Sequence, residues 1–384
     1  MKKILYTATV ASHICQFHLP YFKMFKEMGY EIHVAARDNL AEKNGLAFKY
    51  VDKFFEVPFR RSPFSPKNLS AKKQLKKIID ADDYEIIVCN TPVGGIVTRD
   101  AAKAARKRGT RVIYFAHGFH FYKGASKKNW LLFYPIEKKY AKKCDGIIVI
   151  NEEDYLFAKE KFKTPVYRIH GVGVDAERYR CLSSRERTEK RSEMGYSNDD
   201  FICLCVGELN GNKNQIQAIK AIEEVSKTRP NVKLLIAGNG PKDAELKAYV
   251  KNAGLDGNVE FLGYCTYLQE YQGIADIGIS CSIREGLGLN VIEAMLSGNP
   301  FVATANRGHN ELIENGVNGY LMNVGDSHGM AKAILRLIDD KELYESMREQ
   351  TVRSMQAYTT NSTLTEMKNI LFGGIKNEEA SSGC

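Results

Sequence analysis

Short β-rich runs alternate with helical stretches along almost the whole of this 384-residue chain, and the alternation runs through twice. The first series has strand candidates at Ile4–Val10, Glu31–Ala36, Phe54–Val57, Glu85–Cys89, Arg111–Ala116 and Gly146–Ile150. Helical apolar spacing falls between them at Pro20–Met28, Ala71–Asp80, Gly95–Arg108 and Trp130–Lys142. A strand, a helix and a further strand in repetition require crossover connections, so the strands run parallel and the helices cover both faces. After Val166–His170 the pattern breaks at Gly171-Val172-Gly173-Val174-Asp175, and a charged stretch to Asp200 reads as a linker. The second series then begins, with strands at Phe201–Val206, Val232–Ala237, Val259–Leu262, Ile277–Cys281 and Phe301–Thr304.

The expected fold class is therefore α/β, with two doubly wound domains at residues 1–172 and 201–359, joined by a linker at 173–200. A segment at about 360–374 is expected to pack back on the first domain, and the small, polar end at 377–384 to form a flexible tail. Ligands of open parallel sheets bind beyond the carboxyl ends of the strands, so two such sheets facing each other place a site in the cleft between them.

Charge is divided unevenly. Residues 1–180 carry 34 Lys and Arg against 19 Asp and Glu, whereas the remainder carries 21 against 27. The basic half points to a polyanionic neighbour. Its clusters are Arg60-Arg61, Lys72-Lys73 with Lys76-Lys77, Arg106-Lys107-Arg108, and Lys138-Lys139 with Lys142-Lys143. No interleaving of aromatic and basic residues of the RNA-binding kind accompanies them, so an anionic membrane surface is favoured over nucleic acid. The nine cysteines form no C-x-x-C pair, and no histidines stand at metal-ligand spacing. Nothing in the spacing reads as a disulfide framework or zinc site, as expected in a reducing cytosol. The apolar start, Ile4 to Ala11, is short and interrupted by Tyr and Thr, which suits a first buried strand better than a signal peptide. No run is long enough to cross a bilayer.

The strongest chemical pattern is Ser282-Ile283-Arg284-Glu285-Gly286-Leu287-Gly288-Leu289-Asn290-Val291-Ile292-Glu293. A strand ends near Cys281, a loop with two glycines follows, and a helix begins near Asn290. Amides at a helix start bind phosphate, and the glycines allow close approach to the backbone. Glu285 can accept hydrogen bonds from a polyol, and Glu293 from a second set of hydroxyls such as those of a ribose. Asn290 and Glu293 also have the spacing of a capping box, which would occupy Glu293 at its own helix end. Lys213, beside another helix start, can neutralise a diphosphate leaving group, the task a metal ion would otherwise perform. His117 stands where a strand runs out, and His13 and His18 occupy the loop and helix start after the first strand. Ala237-Gly238-Asn239-Gly240-Pro241 is a tight turn, since Pro241 interrupts the glycine pattern of a dinucleotide site.

Two glutamates separated by seven residues, with Gly-x-Gly between them, resemble the E-x7-E signature of the retaining glycosyltransferases of family GT4. The resemblance extends over nearly the whole chain. Through His18-Leu19-Pro20-Tyr21, His117-Gly118-Phe119-His120 and Val206-Gly207-Glu208-Leu209-Asn210 it is similar to the bacterial exopolysaccharide and capsule enzymes of the EpsD type. It implies the GT-B fold, with two Rossmann-like domains. It also implies that Glu285 contacts the donor sugar, that Glu293 holds the ribose, and that the backbone at Gly263 and Tyr264 holds the base. Lys213 and the segment Gly286, Leu287, Gly288, Leu289 and Asn290 would bind the donor phosphates, with Arg307 in the loop beside the sugar. His117 matches a histidine near the donor sugar and would be catalytic with Glu285; His13 and His18 would lie on the acceptor side. Family members commonly carry an arginine five residues before the lysine, and here Glu208 occupies that position; Arg284 or Arg307 are the cations available to replace it.

The expected function is transfer of a hexose or N-acetylhexosamine, with retention, from a UDP-sugar to a polyprenyl-diphosphate-linked glycan in exopolysaccharide or capsule biosynthesis. No cofactor or metal is expected, and the expected location is the cytoplasmic face of the plasma membrane. A UDP-amino-sugar epimerase of the same fold and a catalytically silent scaffold in a polysaccharide assembly complex are the alternatives.

Overall fold

A computed structural model describes residues 2–42 and 45–373; the expected tail at 377–384 lies outside the described residues. The chain divides into two compact units. One comprises the residues up to Val172 together with those from Asn361 onward, and the other runs from Gly173 to Thr360.

The first unit is a parallel sheet of seven strands: β1 (Lys2–Val10), β2 (Tyr30–Arg37), β3 (Lys53–Glu56), β4 (Tyr84–Asn90), β5 (Arg111–Ala116), β6 (Gly146–Val149) and β7 (Val166–Arg168). Their order is β3-β2-β1-β4-β5-β6-β7, so the winding reverses between β1 and β4. Ile4, Leu5, Tyr6, Ile86, Ile87 and Val88 are all buried, because helices cover both faces of the central strands.

The sequence suggested a loop around Ser12 and His13, but the chain enters a helix at Ala11–Phe17, turns at His18, and continues as Leu19–Glu27. No Gly or Pro interrupts residues 11–17. Pro20 cannot donate the bond that would extend this helix, yet it suits the first turn of the next one. The stretch expected as one helix over 95–108 forms two, Pro92–Ala101 and Lys103–Lys107. From Asn361 on, the helix Thr360–Phe372 belongs to this unit. Arg111 donates to the carbonyls of Ile370 and Leu371 at its end, and Glu366 accepts from the His170 amide at 2.9 Å. Phe372 packs on Phe25 and Tyr30.

The second unit is a parallel sheet of six strands: β8 (Phe201–Val206), β9 (Val232–Ala237), β10 (Val259–Gly263), β11 (Ile277–Ser280), β12 (Phe301–Thr304) and β13 (Gly319–Met322), the last absent from the sequence expectation. The order β10-β9-β8-β11-β12-β13 reverses between β8 and β11.

Residues 173–200 are not a linker; they belong to the second unit. A capping box between Ser183 and Glu186 starts the helix Ser184–Glu193. Buried Arg191 then donates to the Ile274 carbonyl and to Asp276, both at 2.7 Å. Asp276 also accepts from the Ile202 amide at 2.7 Å and from Arg187. The dense charge that resembled solvated linker thus includes a guanidinium and a carboxylate that fasten the segment to β8.

Candidate active site

At the winding reversal of the second unit, the loops leaving the neighbouring strands β8 and β11 are bonded together. Ile283 donates its amide to the Asn212 carbonyl at 2.8 Å, and the Asn212 side chain donates to the Arg284 carbonyl at 3.1 Å. Asn210 Oδ1 accepts from the amides of Asn212 and Lys213, tightening the turn that carries Lys213. Lys213 Nζ lies 2.5 Å from Glu285 Oε1, with both side chains largely shielded. The lysine stem runs over Gly207, where φ is +154° and a Cβ would stand 3.1 Å from Lys213 Cε. The proposed phosphate cation and sugar carboxylate are therefore held as an ion pair.

Gly288, with φ of +98°, turns the chain from this loop into the helix Leu289–Leu296. The segment Gly286 to Asn290 therefore forms its head. The capping box does not form: Gly288 is the cap residue, and Asn290 donates instead to the Val206 carbonyl of β8. Glu293 is left to bond Tyr179, and burial pushes its carboxyl up to about 7 against the lowering influence of Tyr179 and Arg178. Tyr179 belongs to the stretch set aside as linker, so the sequence reading missed it.

The helix Arg307–Leu312 begins against the same loop. A Cβ on Gly308 would meet Glu285 Cβ and the Leu287 carbonyl, each at 2.8 Å. This places Arg307 at the start of a helix packed on the Glu285 loop. His309 is fully buried, with Nδ1 donating to the Thr304 carbonyl and Nε2 without a partner. Burial lowers its pKa, and it responds to the charges of both Glu285 and Lys213. The sequence did not single out His309. Gly263 and Tyr264 lie at the end of β10, two strands from β8, and Tyr264 is exposed. Glu208 is exposed and accepts from Asn210, so no arginine stands there. Arg284 is also exposed.

In the first unit, the histidines converge. His13 and His18 follow β1 and His117 follows β5, with β4 between those strands. The Nε2 atoms of His18 and His117 lie 3.2 Å apart. The rings of His13 and His117 meet edge to face at 4.4 Å, and His117 stacks on Phe115 at 4.5 Å. Nδ1 of His18 and Nε2 of His13 are buried without a hydrogen-bond partner. Burial holds all three rings neutral: it lowers His13 to about 4 and drives His18 and His117 well below the ordinary imidazole range. Just after β4, Thr91, at φ of +62°, accepts from the Thr9 amide and shares a 2.7 Å hydroxyl contact with Thr9, which ties β4 to β1. The structure thus joins His13, His18 and His117 in one cluster, and Lys213, Glu285 and the head of the Leu289–Leu296 helix in another.

The pattern of the glycosyl transferases group 1 family matches residues 186–353, and that of the glycosyl transferase 4-like family matches residues 3–151. The chain is 44% identical to the putative glycosyltransferase EpsD of Bacillus subtilis strain 168, over 96% of both chains. The chain is a GT4-type glycosyltransferase. It is also 25% identical to the Escherichia coli UDP-Gal:alpha-D-GlcNAc-diphosphoundecaprenol alpha-1,3-galactosyltransferase, covering 79% of this chain and 80% of that one. Among solved structures, Anabaena Alr3699/HepE in complex with UDP matches with a TM-score of 0.76 at 20% identity, over 97% of this chain and 99% of that one. Its fold is that of this GT4 glycosyltransferase, which has the α/β GT-B architecture.

The basic clusters of the first unit are partly neutralised. Lys72 and Lys143 pair with Asp100, Lys76 and Arg108 with Asp80, and Arg106 with Asp145. Phe64 stands exposed just before the lysine-rich helix Lys67–Asp80 and Leu69 stands exposed on it, and Leu131 is exposed on Lys127–Ala141. No helix among the described residues is long and apolar enough to cross a membrane.

Proposed function

We propose that this glycosyltransferase moves a hexose or N-acetylhexosamine from a UDP-sugar to a lipid-diphosphate-linked glycan, with retention of configuration, in building a bacterial exopolysaccharide. The observation that carries this reading is the Lys213–Glu285 ion pair beside the head of the Leu289–Leu296 helix. A diphosphate entering there would draw Lys213 away from Glu285. The freed carboxylate would then be available to sugar hydroxyls, while Lys213 and the helix amides stabilise the departing diphosphate. Glu293, with Tyr179, would bind the ribose. Gly263 and Tyr264 would hold the base, and Arg307 would stand by the donor. His117 would assist at the sugar, and His13 and His18 would lie on the acceptor side.

The UDP donor draws support from the HepE structures, solved with UDP and with UDP-glucose. The lipid diphosphate draws it from the E. coli relative, whose name specifies a diphosphoundecaprenol-linked acceptor. Exposed Phe64 and Leu69 beside Lys73 and Lys77 favour docking on an anionic membrane, consistent with work at its inner face and with no role for nucleic acid. The reaction assigns its charge stabilisation to Lys213 and backbone amides, so the proposal includes no metal requirement. The test is a panel of nucleotide sugars followed by calorimetry with UDP and NMR of the product anomer. UDP-sugar binding, slow donor hydrolysis and a retained anomer are expected. No affinity for any UDP-sugar would sink the proposal, and conversion of the donor without acceptor would move it to the epimerase.

A further inference from the structure

We propose that His13, His18 and His117 form a three-nitrogen site for a divalent d-block cation, with Zn2+ the best fit. Among the described residues, this is the group of three or more metal-binding side chains whose ligand atoms come within 4.8 Å of one another. Neutral imidazoles are ligands for zinc, copper and nickel, and a three-histidine set leaves a fourth position open. At zinc–nitrogen distances of about 2.0–2.1 Å, two ligands at a tetrahedral angle stand about 3.3 Å apart. The Nε2 atoms of His18 and His117 are 3.2 Å apart, so this pair already has the required bite.

The cluster also lacks polar partners. His18 and His117 share one N–H···N contact, whichever ring donates, and Nδ1 of His18 and Nε2 of His13 have none. Metal binding to both Nε2 atoms moves the shared proton to Nδ1 of the former donor, so two neutral rings bind without net proton release. A ring rotation of His13, which is half-buried on its helix, supplies the third nitrogen. Because His18 Nδ1 has no acceptor to orient the ring, affinity falls about 10- to 100-fold below that of a fully supported site.

The test uses full-length protein freed of metal by a chelator and titrated with Co2+, then with Zn2+ in competition. The expected result is one saturable site, with visible Co2+ absorption bands that Zn2+ displaces. His13→Ala and His117→Ala should each weaken binding at least 10-fold. His18→Gln should do the same, with circular dichroism confirming the fold. Absence of saturable binding, or binding unchanged in both His13→Ala and His117→Ala, would overturn the site. The readout is metal affinity, independent of any sugar transfer, so failure of the proposed activity leaves this test intact.

Discussion

The two units place opposite chemistry at their winding reversals. In the second, a lysine and a glutamate face each other as a ready ion pair, and a nearby glutamate has its carboxyl pushed up to about 7. In the first, three bases are kept neutral by burial, and two of them are left with an unmatched nitrogen. Both lie where neighbouring loops diverge, because a doubly wound sheet opens there. The second unit meets charge with charge and helix amides, whereas the first offers lone pairs in an apolar floor.

The largest expected break in this comparison is Glu285→Ala, which should lower turnover about 100- to 1,000-fold, a loss typical of removing a transition-state contact. Because it also frees Lys213, UDP affinity should hold or rise in calorimetry. Lys213→Ala should act the other way, weakening UDP itself about 10-fold or more. Equal effects of the two substitutions on UDP binding would mean that the ion pair is structural. Next, His117→Ala should cut turnover about 10- to 100-fold with little change in UDP affinity, measured by steady-state kinetics. A matching loss of UDP binding would remove the distinction between the two units.

Glu293 tests the pH side of the contrast. Its folded pKa lies above the usual carboxylate value, so between about 4.5 and 7 the native state binds more protons than the unfolded state, and stability falls as pH rises through that window. Glu293→Gln should remove that slope and stabilise the protein at pH 8 by about 2 kcal/mol, read as a urea midpoint at pH 5 and pH 8. An unchanged slope would show that Tyr179 keeps the carboxylate ionised throughout. The smallest effect expected is from Glu208→Arg. It adds a cation at an exposed position and should tighten UDP binding several-fold, about 1 kcal/mol, without altering the melting temperature.

The parallel sheets were legible in the sequence because strands covered on both faces read as apolar runs, as from Ile4 to Tyr6 and from Ile202 to Cys205. Lys213 and Glu285 could be picked out because each follows a strand and precedes a helix. The histidine cluster escaped because its members are 5 and 99 residues apart in sequence, and only the order β1-β4-β5 brings them together. Tyr179 escaped because its neighbours are charged, and charge density alone does not reveal that Arg191 turns inward onto Asp276. The capping box at Asn290 and Glu293 shows the converse, a correct local signal displaced when Gly288 began the helix earlier and Glu293 found Tyr179.

The helix Thr360–Phe372 gives the first unit a schedule as well as a shape. Its strands leave the ribosome first, but the helix that covers Phe25 and Tyr30 and engages Arg111 emerges last. At synthesis rates of about 5–20 residues per second, roughly 10–40 s separate β7 from that helix. Throughout that interval the second unit can fold, while the first presents an uncovered aromatic face to the cell.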